Sequence, residues 1–83
     1  MDYSDEAIKF VEEIVKTVEF YLARKRVFRI EVAKVEKGTA TVHFCVRYYE
    51  RQTLHKGSGG TISANPITGS SDFTFGFVML CHG

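Results

Sequence analysis

The sequence predicts an α+β domain in which one N-terminal amphipathic helix packs across a three- to four-stranded antiparallel sheet. Apolar residues recur at helical spacing from Ser4 to Arg26, and beyond Arg26 they alternate one by one. The chain is 83 residues long, enough for one domain spanning 1–83. A chain of that size buries only about 60–65% of its unfolded surface, so the two layers must share one core.

The helix is expected over about 4–26. Wound at helical pitch, Phe10, Tyr21, Ile14, Ala7, Val18, Val11, Leu22, Val15 and Ile8 form one apolar arc of roughly 160°. Ser4 is a favourable N-cap, Asp5 and Glu6 follow in the first turn, and Tyr3 can staple onto Ile8. Arg24, Lys25 and Arg26 cluster where cations favour the last carbonyls of a helix. Phe20 breaks the pattern by falling on the polar face.

Strands are expected at about 27–36, 39–52, 61–65 and 71–81. Phe28, Ile30 and Val32 alternate with charged residues, and the phase slips near Ala33-Lys34, as at a bulge. Lys37-Gly38 reads as a tight turn. In the second strand Ala40, Val42, Phe44, Val46 and Tyr48 share one face, and Thr41, His43, Cys45, Arg47 and Tyr49 the other. Gly57-Ser58-Gly59-Gly60 reads as a flexible loop, and Asn65-Pro66-Ile67-Thr68-Gly69 as a turn. The last strand is apolar on both faces, which predicts a central position, with the first strand as its neighbour.

Composition excludes several classes. Apolar residues make up 45% and charged residues 25%, the balance of a globular chain. Net charge is +1, which gives no overall pull toward nucleic acid. The longest apolar run, Phe77 to Cys81, is too short to cross a bilayer, and the acidic N-terminus is unlike a signal peptide. The expected setting is the cytoplasm, without a membrane partner.

No catalytic, metal or cofactor signature stands out, and a non-enzymatic role without cofactor is expected. Cys45 and Cys81 fall on opposite face parities, which predicts two unpaired thiols. His43, Cys45, Cys81 and His82 lack metal-ligand spacing. A His43–Cys45 thiol enzyme lacks an identifiable third member. The glycine run lacks the following lysine and helix of a phosphate loop. It remains a contact-loop candidate with His55, Lys56, Gly57, Gly59 and Gly60.

A helix followed by an antiparallel meander is similar in topology to the cystatin-like arrangement. That family's inhibitory hairpin carries Gln-x-Val-x-Gly. The stretch Gln52-Thr53-Leu54-His55-Lys56-Gly57 has a different spacing, so the resemblance implies no inhibitor role.

Surplus apolar residues point to a partner. Phe20, Tyr49, Val78 and Leu80 are more than a small monomer needs outside its core, and they predict a protein interface. The expected function is a small protein-interaction module, homodimeric, of the kind phages and plasmids use to modulate host proteins. The alternative is a nucleic-acid-binding module using Arg24, Lys25, Arg26, Arg29, Arg47, Tyr49 and Arg51 on a basic and aromatic sheet face.

Overall fold

A computed structural model of the chain describes residues 4–77 and Cys81. Helix α1 spans Ser4–Tyr21, and strands follow at β1 Arg26–Glu36, β2 Thr39–Glu50, β3 Thr53–Ala64 and β4 Ser71–Phe77. The four strands form one antiparallel sheet in the order β1-β2-β3-β4. Helix α1 covers one face of it, which is the expected α+β arrangement.

The apolar arc of α1 supplies Ala7, Val11, Val15 and Val18 to the core, with Ile8, Phe10, Ile14 and Leu22 at its margins. The sheet answers with Ala40, Val42, Phe44, Val46, Ile62 and Ala64. These residues line up in cross-strand rows, since partners in a ladder share a face. Ile30, Phe44, Gly60 and Phe75 make one row, and Val32, Val42, Ile62 and Phe73 the next.

The helix stops earlier than its period suggests. Ala23 and Arg24 adopt φ of 35° and 61°, outside the helical region, so no basic residue lies in its last turn. The cause is tertiary. Arg26 already pairs with Arg47, and the backbone N–H of Val27 donates to Glu19 Oε1 at 3.0 Å. The chain must reverse within four residues to reach that register. Tyr3 lies outside the described residues.

Strand β1 carries two bulges, at Phe28 and at Ala33, the second where the phase of the sequence slips. Lys37-Gly38 is the tight turn expected, with both φ positive. Asn65 fixes the same end of the molecule. Only 7% exposed, it donates from Nδ2 to Thr39 Oγ1 and to the Lys37 carbonyl, and its Oδ1 accepts from the N–H of Ile67 and of Thr68. One buried amide thereby ties the β1–β2 turn to the β3–β4 connection.

Three expectations are corrected. The glycine run is no loop but the middle of β3, whose strand starts at Thr53 rather than Thr61. Gly59 and Gly60 are buried, and a Cβ on Gly60 would run into the Thr74 carbonyl oxygen and lie 2.7 Å from Phe44 Cζ, so the β4 backbone and the Phe44 ring together occupy the space a side chain would need. The β2–β3 connection is instead a two-residue turn, Arg51-Gln52, with φ of 49° and 70°. It lacks the Asn-Gly or Asp-Gly signal such turns favour. Finally, β4 is an edge strand and not a central one. Short connections make each strand pair with its neighbour in sequence, so the first and last strands become the edges.

Gly60→Ala is expected to destabilise the fold by about 1–3 kcal/mol through overpacking against the Thr74 carbonyl and the Phe44 ring. Gly76→Ala, where no atom lies within 4 Å of the added Cβ, should be tolerated. Urea unfolding of the two variants measures the contrast. The double change Arg51→Asn with Gln52→Gly should raise the urea midpoint by relieving the left-handed turn, a gain of about 1 kcal/mol.

Candidate functional site

The sheet has a helix-facing side and an outer side, and each ends in a different surface. On the outer side the β1 charges are arranged as pairs: Arg29 with Glu31 at 2.6 Å and Lys34 with Glu36 at 2.8 Å. The hydrogen bond between Lys34 and Glu36, and then their mutual charge, hold the ammonium above and the carboxyl below their ordinary pKa values. Both groups are solvent-exposed, so the pair adds little to stability. Next to them run hydroxyl contacts, Thr41 Oγ1 with Ser63 Oγ at 2.8 Å and His43 Nδ1 with Thr61 Oγ1 at 3.1 Å.

Cys45 and Cys81 form a disulfide in the middle of this outer face, with Cα atoms 5.4 Å apart. This corrects the expectation of two separate thiols. The parity argument assumed that Cys81 continues the alternation of β4, whereas Cys81 is in a helical and not an extended conformation. The cross-strand partner of Cys45 is Gly59, and a Cβ there would run into the Phe44 carbonyl oxygen and stand 2.8 Å from Cys81 Sγ. Gly59 is therefore the seat of the disulfide. Both cysteines are buried, so the thiolate that a His43–Cys45 enzyme would need is engaged in the bond. Among the described residues, no group of three His, Cys, Asp or Glu side chains is placed to hold a metal ion. His82 lies outside them.

The helix-facing side ends in an apolar groove. Helix α1 lies chiefly over β1, β2 and β3, and inner-face residues of both edge strands stay part-exposed, Ile30 and Val32 on β1 as well as Phe73 and Phe75 on β4. Phe73 stacks on Phe44 at 5.8 Å between ring centroids and Phe75 lies tilted against it at 6.5 Å, and both are about two-fifths exposed. Ile14, Thr17, Val18 and Phe73 enclose a groove of about 400 Å³ between the helix and this edge. The β4 edge is lightly guarded, by Asp72 Oδ1, which accepts from the Phe73 N–H at 3.0 Å. Strand β4 pairs with β3 without a bulge, and Asp72 is its one charged residue. By contrast, β1 guards the opposite edge with two bulges and the charges of Arg29, Glu31, Lys34 and Glu36.

The third surface is the end of the sheet where β1 starts and β2 turns into β3. Arg26 faces Arg47 across the β1–β2 ladder, and Lys56 sits in the β3 bulge on the other side of Arg47. Past this row, neither β1 nor the described part of β4 flanks the β2–β3 hairpin. Residues 48–55 stand out as a two-stranded ribbon. Tyr48 and His55 stack at 4.9 Å on one face of the ribbon, and Lys25 Nζ lies 4.9 Å over the Tyr48 ring. Tyr49, 70% exposed, pairs with Leu54 on the other face.

The structure thus redistributes the residues singled out in the sequence. Phe20, 84% exposed, is on the helix, far from the sheet face that carries Tyr49, so the two do not form one patch. Val78 and Leu80 lie outside the described residues. Arg26, Arg29, Arg47 and Tyr49 share the outer face, Arg51 is at the ribbon tip, and Arg24 and Lys25 belong to the α1–β1 connection. His55 and Lys56 join this basic end, whereas Gly57, Gly59 and Gly60 are strand residues. Sequence reasoning missed Phe73, Phe75, Ile14 and Val18 as a surface. Their apolar character was visible, but the reach of the helix was not.

Neither a family model, nor a curated protein, nor a solved structure matches the chain.

Replacing Cys81 by Ser should cost about 4 kcal/mol, since the cross-link closes a loop with a sequence separation of 36. Thermal unfolding with and without reductant reads this. The variant should lose its sensitivity to reductant altogether.

Proposed function

We propose that the protein is a small non-enzymatic interaction module that self-associates through the open edge of β4. The observation that supports this is the contrast between the two edges of one sheet. Among the described residues the β1 edge carries two bulges and several charges, whereas the β4 edge has no bulge and the single charge of Asp72. A seven-residue strand offers roughly 24 Å of unpaired backbone.

A second copy suits this edge better than an arbitrary strand. Antiparallel pairing of β4 with itself about a two-fold axis near Thr74 sets Phe73 opposite the partner's Phe75 and Asp72 opposite the partner's Gly76. No like charges meet, and the phenylalanines of both chains form one apolar strip beside the two grooves. The same edge also suits an extended segment of another protein, the mode by which a phage- or plasmid-type modulator would occupy its host target.

The cytoplasmic setting expected from the sequence now has an argument against it. Disulfides are rare where thiols are kept reduced. Cys45 and Cys81 are both buried, so attack by small thiols is hindered, and the bond would persist in a reducing compartment only through that shielding. No helix among the described residues is long and apolar enough to cross a membrane.

Light scattering over a dilution series tests the self-association. The expected result is a dimer that Thr74→Lys, which sets two ammonium groups together near the axis, converts to monomer. Val32→Lys on the β1 edge should leave the dimer intact. A wild-type monomer at all concentrations would rule out self-association. Should a photo-crosslinker at position 74 then also yield no adduct with any protein of the source cell, the interaction reading would fall with it.

A further inference from the structure

We propose that the β2–β3 ribbon binds double-stranded DNA, with its tip in a groove and the basic row at its base on the phosphates. This inference does not depend on dimerisation, because the ribbon lies on β2 and β3 and the proposed dimer edge is β4.

Charge placement is the first support. The net charge of +1 conceals a polar molecule. Arg24, Lys25, Arg26, Arg47, Arg51 and Lys56 lie at the ribbon end with two carboxylates, Glu19 and Glu50, whereas Asp5, Glu6 and Glu12 lie in the first half of α1, which runs toward that end. The row at the ribbon base is unusual in itself. Arg26 and Arg47 are direct cross-strand partners, and like charges so placed destabilise a sheet. Among the described residues neither has a carboxylate within ion-pairing distance, although β1 pairs its other charges two by two. An anionic ligand would relieve the repulsion that the fold tolerates.

Shape is the second support. The ribbon is two strands wide and projects roughly 14 Å, four residues, beyond Arg47. The major groove of B-DNA, about 12 Å wide, admits a two-stranded ribbon, whereas the narrow major groove of RNA duplexes does not. Isolated hairpins are marginal in water. This one is braced by the Tyr48–His55 stack and the Lys25 ammonium above it. At its tip Arg51 and Gln52 hold left-handed conformations that glycine or asparagine would adopt at lower cost. The side chains kept there have the forked donors, and in Gln52 also the acceptor, that read base edges. Glu50 is the one carboxylate on the ribbon, and it lies on the Tyr48 face rather than beside Arg47.

Fluorescence anisotropy of a labelled duplex of about two helical turns, titrated with the oxidised full chain, tests the proposal. Neutralisation of three phosphates by Arg26, Arg47 and Lys56 predicts roughly a 40-fold loss of affinity between 50 and 200 mM salt. Arg47→Gln should flatten that dependence, and Lys34→Gln, at the opposite end of β1, should leave it unchanged. The Arg51→Asn and Gln52→Gly double variant keeps a favourable turn and removes the tip side chains. It should weaken duplex binding about tenfold with the salt dependence retained. The proposal is overturned if duplex is not bound at 50 mM salt, or if Lys34→Gln acts like Arg47→Gln. It also falls if single-stranded DNA or polyglutamate is bound as tightly as duplex.

Discussion

Two adjacent glycines leave the space on which the rest of this structure depends. Gly59 and Gly60 follow one another in β3, so their missing side chains fall on opposite faces of the sheet. On the helix side, the vacancy at Gly60 admits the ring of Phe44, which is fully buried and carries Phe73 and Phe75 along its flank. On the outer side, the vacancy at Gly59 admits the sulfur of Cys81, bonded to Cys45. That sulfur also lies 3.9 Å from the Phe44 carbonyl oxygen, a packing contact because a disulfide sulfur carries no hydrogen to donate. One dipeptide thus fixes the core on one face and the end of the chain on the other.

The meander decides what remains uncovered. Short connections place β1 and β4 at the edges, and a single helix about 10 Å across is narrower than four strands spaced about 4.8 Å apart. Helix α1 lies over β1 to β3, and the apolar residues of β4 are left beside a groove. The two edges differ because β1 has bulges and several charges that make an edge unattractive to another strand, where the described part of β4 has no bulge and Asp72 alone.

Length mismatch among the strands produces the other surface. Strands β2 and β3 each run for 12 residues, and β4 is described over seven. Since β1 is displaced toward the Lys37-Gly38 turn, the hairpin of β2 and β3 overshoots the sheet at the opposite end. The basic residues of three separate segments meet there. Apolar edge and basic ribbon are therefore consequences of one topology, at two different places on it.

The sequence by itself determined the local elements. The helical period identified Ala7, Val11, Val15 and Val18 as the buried stripe, the alternation from Ala40 to Val46 gave the inner face of β2, and the phase slip near Ala33 marked a bulge. These are legible because the period of a helix or strand is set within a few residues. Tertiary structure alone decided the rest. Glycine reads as flexibility until a neighbouring ring or sulfur is known to need its space, and Arg51-Gln52 carries no turn signal because the register of β2 against β3 imposes that turn. Cys45 and Cys81 meet although their parities differ, because Cys81 is not extended and so does not keep the alternation of β4. Likewise the basic cluster and the open edge exist only once strand order is fixed, since each is built from residues far apart in sequence that pairing, and not local propensity, brings together.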